Sequence, residues 1–533
     1  MKIRHTVLAC LWLAPLHVYA QSVEDNIMRS IRESAESSVN RSKQAQETAA
    51  QAYRSVRADT LAGLDPSMLY TIEDHYTGPW SAPAFGPRAV SLLGSAWLDK
   101  QGGLPRQALI EAIAKRMVDD DYVFFRLRIS PRTAASGPEI ELLPQTVKLQ
   151  DNGLQLKNIL HLRDGAFFKL SQLRLALFQL NNSGESSYQA DVAHVGDTIY
   201  VSFREQQRSR LTTILNINNF NKQDLYGYTG TASIIGGNLL NLNESLGLSY
   251  SGNLASVDAR KFTSYSGFFS VPVLGMDLSM DYSQSMDRTL LQLDRATLKA
   301  QRKTETLGFG LRANQLIGNT LAHYGTRIYQ NNSRFDIHDT VIRAQTYRYT
   351  AAELSTGFSH RQSAFHTSGS ATFTRALSYN GAERFNILRA HAEVGDRLPH
   401  NLRYRVSLNA QHRLGGGALP SSELFYANSP SRARLPFDFS PVAADNGVSL
   451  SSTLSYDITH AGLHRGWVAV GNISPFIGLD HGRADGAYVT SMAAGVNIAL
   501  GQNALQIYAP KVLSSNVGHR ASGGVFMTLQ AQF

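Results

Sequence analysis

The sequence predicts an exported chain with an α+β N-terminal region and, after it, a transmembrane antiparallel β-barrel of about sixteen strands. Three observations predict this. The first twenty residues have the build of a secretory leader, residues from about 65 to 206 mix helical and strand periodicity, and from about 207 onward the apolar period becomes two.

The leader opens on the basic stretch Met1-Lys-Ile-Arg-His5. It continues through the mostly apolar Thr6 to Leu16 and ends on Val18-Tyr19-Ala20, compact residues suited to cleavage. It is too short to stay in a bilayer as a stable anchor. Val7-Leu8-Ala9-Cys10 has the look of a lipoprotein box, but the apolar stretch before Cys10 is too short for one. Cys10 is the only cysteine, so a chain starting at Gln21 has none and takes no stability from disulfides.

Residues 21–64 form a separate segment. From 22 to about 60 it holds Glu, Ala, Gln, Arg and Ser, with no Gly before Gly63 and few apolar positions (Val23, Ile27, Ile31, Val39, Val56). A helix polar on nearly all sides has no place in a dry core. It belongs either in solvent or in an aqueous cavity.

The α/β region follows. Pro105 to Val118 places Leu109, Ile110, Ile113 and Met117 at helical spacing, and Tyr122 to Ile129 is strand-like. Glu139 to Leu143 and Thr146 to Leu149 are further strands, and Phe168 to Leu180 is a second amphipathic helix. Strands Tyr188 to His194 and Thr198 to Arg204 meet at Val195-Gly196-Asp197. The order strand, helix, helix, strand, strand is complete once, at 144–206; before it only the second half is recognisable.

Beyond 207, Met276, Leu278, Met280 and Tyr282 alternate with Asp277, Ser279, Asp281 and Ser283. Leu246, Leu248 and Tyr250 do the same, as do Leu307, Phe309 and Leu311, and the last strand sets Val525, Met527, Leu529, Ala531 and Phe533 on one face. Alternating stretches of about 8 to 11 residues, separated by Gly, Asn, Asp or Ser turns, have one face for lipid and one for a polar lumen. Hydrocarbon cannot satisfy an open sheet edge, so such a sheet must close. A soluble sandwich would not call for Tyr and Phe recurring near strand ends, as an aromatic girdle does.

Certain motifs, in their order, resemble the two-partner secretion outer-membrane transporters (TpsB, the haemolysin/haemagglutinin secretion-activation type). Asn218 to Gly230 and Gly237 to Ser249 are similar to that family's opening barrel hairpins. Asp164 to Asn181 resembles the helix of its second POTRA domain, and Asp121 to Pro131 a strand of its first. Leu419-Pro-Ser-Ser-Glu-Leu-Phe425 matches the start of its inward-folded loop. The resemblance implies a divergent first POTRA domain at 65–143, a second at 144–206, and a barrel at 207–533 with loop 418–447 folded into the lumen. It also implies that 21–64 is a helix able to plug the pore.

In the family the loop tip reads Val-Arg-Gly-Tyr; here an ungapped alignment puts its arginine at Arg434, within Ala433-Arg434-Leu435-Pro436. The family's partner motif is similar to Pro475-Phe-Ile-Gly-Leu-Asp-His-Gly482, where Phe476, Gly478, Asp480 and Gly482 share one face. The resemblance therefore implies that Arg434 pairs with Asp480 and pins the tip to the barrel wall. A bidentate Arg–carboxylate contact is an efficient anchor in a wet pore, where apolar burial contributes little.

Exoprotein binding is expected at the POTRA strand edges, to which an extended chain can add; helix Phe168 to Leu180 with strand Tyr188 to His194 is the candidate groove (Phe168, Leu173, Leu177, Tyr188), while the spacing of Leu173, Leu175 and Leu177 equally fits a core face. The expected partners are a secreted TpsA-like exoprotein, outer-membrane lipid, and the barrel-assembly machinery through the C-terminal Phe533 strand. The alternative within the same superfamily is a membrane-protein assembly or insertion factor.

The net charge of +9 fits anionic lipid head groups, and no basic stripe interleaved with stacking aromatics suggests nucleic acid. The sequence has no phosphate-cradling loop ending in Lys-Ser/Thr, no HExxH and no GxSxG. His460 and His464 have helical spacing but lie in a Gly-containing turn, and Asp119-Asp120-Asp121 reads as a solvated helix end. No enzyme activity, metal or cofactor is expected.

Overall fold

The computed structural model describes residues 70–533 except 81–82, 121, 123, 133–136, 151–161, 163, 182–186, 196–197, 207–210, 220–227, 241, 255–259, 294–295, 318–319, 363–364, 381–382, 428–433, 435–441, 459–463, 466–467, 470–471, 501–502 and 518–523. The leader and the helix expected at 21–64 lie outside the described residues.

The first α/β unit has strands β1 (Tyr70–Asp74), β2 (Ala84–Phe85), β3 (Phe125–Pro131) and β4 (Pro138–Pro144), in the sheet order β1-β3-β4-β2. Three helices, α1 (Pro87–Leu93), α2 (Ser95–Gln101) and α3 (Arg106–Asp119), join the two halves. The expected helix at 105–118 is α3. Its Leu109, Ile110, Ile113 and Met117 pack on Phe125, Leu127 and Ile129 of β3. Burying each such side chain contributes about 1.5–3 kcal/mol. On the other face of the sheet, Arg126 and Arg128 donate to the two oxygens of Glu73, at 2.8 and 3.0 Å. Strand β1 has little periodic signal in the sequence, because it is five residues long and its Ile72 is exposed.

The second unit has β5 (Thr146–Gln150), β6 (Ser187–Val195) and β7 (Thr198–Gln206), in the order β5-β7-β6, with helix α4 (Leu170–Asn181). Its core unites Val147, Leu149, Phe168, Leu173, Leu177, Tyr188, Ile199 and Val201. Two aromatic contacts tie the units together: Phe124 meets Phe168 at 5.9 Å between ring centres, and Lys169 Nζ sits 4.3 Å above the Tyr122 ring.

The rest of the chain is a closed antiparallel barrel. Its first strands are β8 (Leu211–Asn218), β9 (Thr229–Gly237), β10 (Ser245–Asn253), β11 (Arg260–Val273), β12 (Met276–Leu293), β13 (Ala296–Ile317) and β14 (Thr320–Ile337). A two-residue strand, β15 (Thr340–Val341), pairs beside β14. Then come β16 (Tyr347–Gln362), β17 (Phe365–Tyr379), β18 (Phe385–Arg397) and β19 (Leu402–Gly416). The loop after β19 contains the short pair β20 (Phe425–Tyr426) and β21 (Ala443–Ala444). The wall resumes with β22 (Gly447–Tyr456), which is followed by the small hairpin β23 (His464–Arg465) and β24 (Val468–Ala469). Strands β25 (Asn472–Ala484), β26 (Ala487–Leu500), β27 (Asn503–Ser515) and β28 (Phe526–Gln532) complete the wall. Leaving β15 aside, sixteen strands form it. Among the described residues no helix is long and apolar enough to cross a membrane.

The period-two pattern decides which side faces out. Leu248 is 65% exposed and Leu278 45%, and Tyr250, Met280, Tyr282, Phe309 and Leu311 also lie on the outer surface. These are the apolar positions expected to meet lipid. Several strands outrun the roughly 9–11 residues that a bilayer requires: β12 and β14 have 18 residues each and β13 has 22. Backbone pairing does not end at the edge of the hydrocarbon, so these hairpins continue as a ribbon beyond it.

The barrel closes between β28 and β8, which pair from Thr528 against Asn218 to Gln532 against Ile214. Phe533 extends that seam by exchanging backbone hydrogen bonds with Thr213 at 2.9 and 3.0 Å. The Asn219 side chain adds one bond to the Val525 carbonyl and accepts one from the Met527 amide.

The second unit meets the barrel at the turn between β9 and β10. There the Asn238 amide donates to the Tyr188 hydroxyl at 2.7 Å. The Glu244 carboxylate accepts the backbone amides of Leu240 and Leu242, holding the turn closed.

Candidate functional site

The loop after β19 leaves the wall at two glycines. Gly415 and Gly416 have φ of 116° and 92°, in the region that favours glycine, and a Cβ on Gly416 would overlap the Arg384 carbonyl. The chain then turns inward. Its described parts are residues 417–427, 434 and 442–446.

The root of the loop is a 3₁₀ turn, Ser421–Glu423. Leu419 is buried beside Tyr347, Tyr349, Phe385 and Ile387 of the inner wall. The Glu423 side chain is 7% exposed and collects donors from three strands. Tyr329 donates to Oε1 at 2.8 Å and Tyr349 at 2.5 Å, while Arg389 Nη2 donates to Oε2. Gln411 Nε2 also holds the Glu423 carbonyl, at 2.7 Å. The Ser421 and Ser422 hydroxyls lie 3.2 and 3.0 Å from those of Tyr347 and Tyr349.

Toward the tip, Arg434 meets Asp480. Arg434 Nε donates to Oδ2 at 2.8 Å and Nη2 to Oδ1 at 2.7 Å, so the pair is bidentate, and the Arg434 backbone amide adds a third bond at 2.9 Å. The Ser451 hydroxyl donates to Oδ1 at 2.6 Å. Arg434 also donates to the Ser452 carbonyl at 2.9 Å and the Thr453 hydroxyl at 3.2 Å, and lies 5.6 Å above the Phe476 ring. The Asp480 side chain is fully buried and that of Arg434 is 11% exposed. A bidentate, charge-assisted contact of this kind fixes direction as well as position.

The wall is shaped for these contacts. On β25, Phe476, Gly478, Asp480 and Gly482 face inward, whereas Ile477 and Leu479 are exposed outside. A Cβ on Gly478 would overlap the Arg434 guanidinium. A Cβ on Gly482 would come within 2.9 Å of the Ala427 Cβ. The two glycines therefore make room for the loop against the wall, as Gly447 on β22 does for the Phe425 ring. Phe476 continues into an aromatic column, 6.4 Å from Tyr508, which in turn stacks on Phe526 at 5.1 Å.

A family model, "Haemolysin secretion/activation protein ShlB/FhaC/HecB", matches residues 197–503, more than half of the chain. The chain belongs to that family. Its members are two-partner secretion transporters of the outer membrane, within the Omp85 superfamily, and their N-terminal region stands in the periplasm.

Two solved structures share the fold of this ShlB/FhaC/HecB-family chain. CdiB from Escherichia coli superposes with a TM-score of 0.76 at 15% identity, covering 92% of this chain and 98% of that one. CdiB from Acinetobacter baumannii gives 0.73 at 14% identity, covering 92% and 99%. No curated protein matches by sequence.

For this family member the structure brings Arg434, Asp480, Phe476, Gly478 and Gly482 together, although Val-Arg-Gly-Tyr is missing around the arginine. Of the four candidate exoprotein-binding residues, it gives Leu173 and Leu177 the core position that their spacing also fitted, and it leaves neither Phe168 nor Tyr188 open. Phe168, Leu173 and Leu177 are buried in the second unit's core, so they cannot line an open groove. Tyr188 is 1% exposed and its hydroxyl is held by the barrel turn. The amphipathic spacing that suggested a groove is satisfied by the unit's own sheet. Among the described residues no cluster of His, Cys, Asp or Glu is grouped to hold a metal ion, and His460 lies outside them.

Glu423 is the site residue that sequence reading passed over. It stands in the quoted Leu-Pro-Ser-Ser-Glu-Leu-Phe stretch, but its partners Tyr329, Tyr349 and Arg389 lie 94, 74 and 34 residues away. An acidic residue held inside a loop otherwise rich in Ser and Pro was the available signal.

Proposed function

We propose that this transporter takes an unfolded exoprotein from the periplasm and passes it through the barrel to the cell surface without ATP. The two α/β units act as POTRA domains at 65–143 and 144–206, and loop 418–447 is the inward-folded gate of the lumen. The observation that carries the reading is the Arg434–Asp480 pair, buried on the inner wall of a closed barrel. A barrel that serves only as an anchor has no need of a loop seated inside it through a bidentate ion pair.

Exoprotein capture falls on the outer edge of β6 rather than on the core side chains. Among the described residues, β6 pairs in its sheet only with β7. Its Gln189, Asp191, Ala193 and Val195 are exposed, and Val195 is 62% so. An extended chain can add to such an edge through backbone hydrogen bonds, with little demand on its sequence. The C-terminal strand with its exposed Phe533 is the handle for the barrel-assembly machinery.

A charge swap tests the gate. Asp480→Arg alone is expected to disturb secretion of the cognate exoprotein, and adding Arg434→Asp to restore part of it. If the double variant secretes no better than the single one, with equal amounts of folded barrel, the pairing is not what matters for transport.

A further inference from the structure

Glu423 is the last member of a row of alternating charges that crosses the inner wall. Asp281 on β12 accepts from Arg327 on β14, at 2.6 and 3.1 Å, over Gly308 of the strand between them. Arg327 Nη1 reaches Glu353 on β16 at 3.4 Å. On β17, Thr374 donates to Glu353 Oε1 and accepts from Arg389 Nη1, both at 3.3 Å. Arg389 on β18 then holds the loop through Glu423, with its Nη1 4.0 Å from Glu353 Oε1.

We propose that Arg389 is a two-position relay: it holds the loop root through Glu423 and turns to Glu353 when the root lifts. The charge count is what makes this work. Asp281, Arg327, Glu353 and Arg389 are neutral together, so Glu423 is the surplus charge and it belongs to the moving part. A buried arginine with a single carboxylate partner would be stranded when that partner left, and stranding a charge is the main cost of breaking such a pair. Here a small rotation of the Arg389 guanidinium toward Glu353 keeps it paired, and Thr374 already bridges the gap. Tyr329 and Tyr349 lose only neutral hydroxyl bonds, which lumen water can replace. The wall thus competes with the loop for one arginine. Glu353, which does not touch the loop through any described bond, sets how tightly the root is held.

This inference rests on the loop acting as a gate, but its test needs no exoprotein, so its failure leaves the transport reading standing. Full-length protein in outer-membrane vesicles is treated with chymotrypsin. The fragment beginning at Ala427, produced by cleavage after Tyr426, which is buried at the loop root with its hydroxyl on the Ser421 carbonyl, is followed by mass spectrometry. Folded barrel is first confirmed for each variant by its heat-dependent gel migration. Glu423→Gln is expected to release the fragment at least about 10-fold faster than wild type. Glu353→Gln removes the competitor and is expected to release it about 3- to 10-fold more slowly. These opposite directions are what distinguish a relay from a simple structural contact. A Glu353→Gln rate equal to or faster than wild type overturns the proposal, as does a Glu423→Gln rate within about twofold of wild type. Should Glu423→Gln fail to fold, the direction of Glu353→Gln decides alone.

Discussion

The root and the tip of the inward loop are both held by an ion pair on the inner wall, yet they are built from opposite materials. At the tip the loop supplies the cation and the wall the carboxylate; at the root the loop supplies the carboxylate and the wall the cation. Asp480 faces one arginine, its backbone amide and one serine hydroxyl. Glu423 faces two tyrosine hydroxyls and an arginine with another carboxylate within reach. The tip is a socket in which Arg434, paired to Asp480, spends its remaining donors on the Ser452 carbonyl and the Thr453 hydroxyl. The root is a contest for a shared partner. The lesson is that two ion pairs of similar burial can differ in how easily they open, according to what each charge meets after separation.

The largest effect that would separate the two is expected from Asp480→Ala. It leaves Arg434 in a pocket with no carboxylate, at a cost of about 3–5 kcal/mol to the seated state. Cleavage after Arg432 should accelerate while Leu419 to Tyr426 stay protected, a pattern visible in a peptide map. If root and tip opened together, the two anchors would be one unit and the comparison would lapse. Gly478→Ala should unseat Arg434 by overpacking, at about 1–3 kcal/mol, while Ile477→Ala on the outer face of the same strand leaves the tip seated. Single-channel recordings would show more frequent openings for the first and none beyond wild type for the second.

Tyr349→Phe acts at the other anchor. It removes one of the donors to Glu423 and should loosen the root by about 1–2 kcal/mol, with no change at the tip. Crosslinking across the root checks it.

The smallest effect on the loop is expected from acid acting on the first unit. The hydrogen bond from Arg128 holds the Glu73 carboxyl below its ordinary value of 4.5, and Arg126 adds to this through its charge and its own bond. A carboxyl depressed on folding contributes stability above its unfolded value, and that stability is lost as pH falls through the lower folded value. Amide protection of β1 should therefore fall on acidification below about pH 4.5. In Glu73→Gln it should be lower at neutral pH and lose that acid dependence. Loop cleavage should be the same in both proteins.

How far these features could be read from the chain alone follows from how local each signal is. The barrel was legible because alternation repeats within every strand and needs no knowledge of neighbours. Arg434 and Asp480 were legible through the resemblance, each from a few adjacent residues at a fixed offset. Glu423 was not, since its meaning lies in Tyr329, Tyr349 and Arg389, which only barrel closure brings to it. Tyr188 misled for the same reason. An aromatic at the start of a strand reads as available surface until the Asn238 turn is placed over it. Strand β1 escaped notice because five residues with an exposed Ile72 and a Glu73 committed to two arginines carry no apolar period. The length of β12 to β14 was underestimated because the lipid-facing stretch is patterned, and its extension into water is not.

The rings of Phe476, Tyr508 and Phe526 carry one more implication, for assembly. Arg434 rests over the first of them, and the last belongs to the C-terminal strand. The cushion under the arginine is complete only after β28 has docked. Seating of the tip would then follow ring closure during biogenesis, and an occupied socket would serve as a built-in certificate that the cylinder has been sealed.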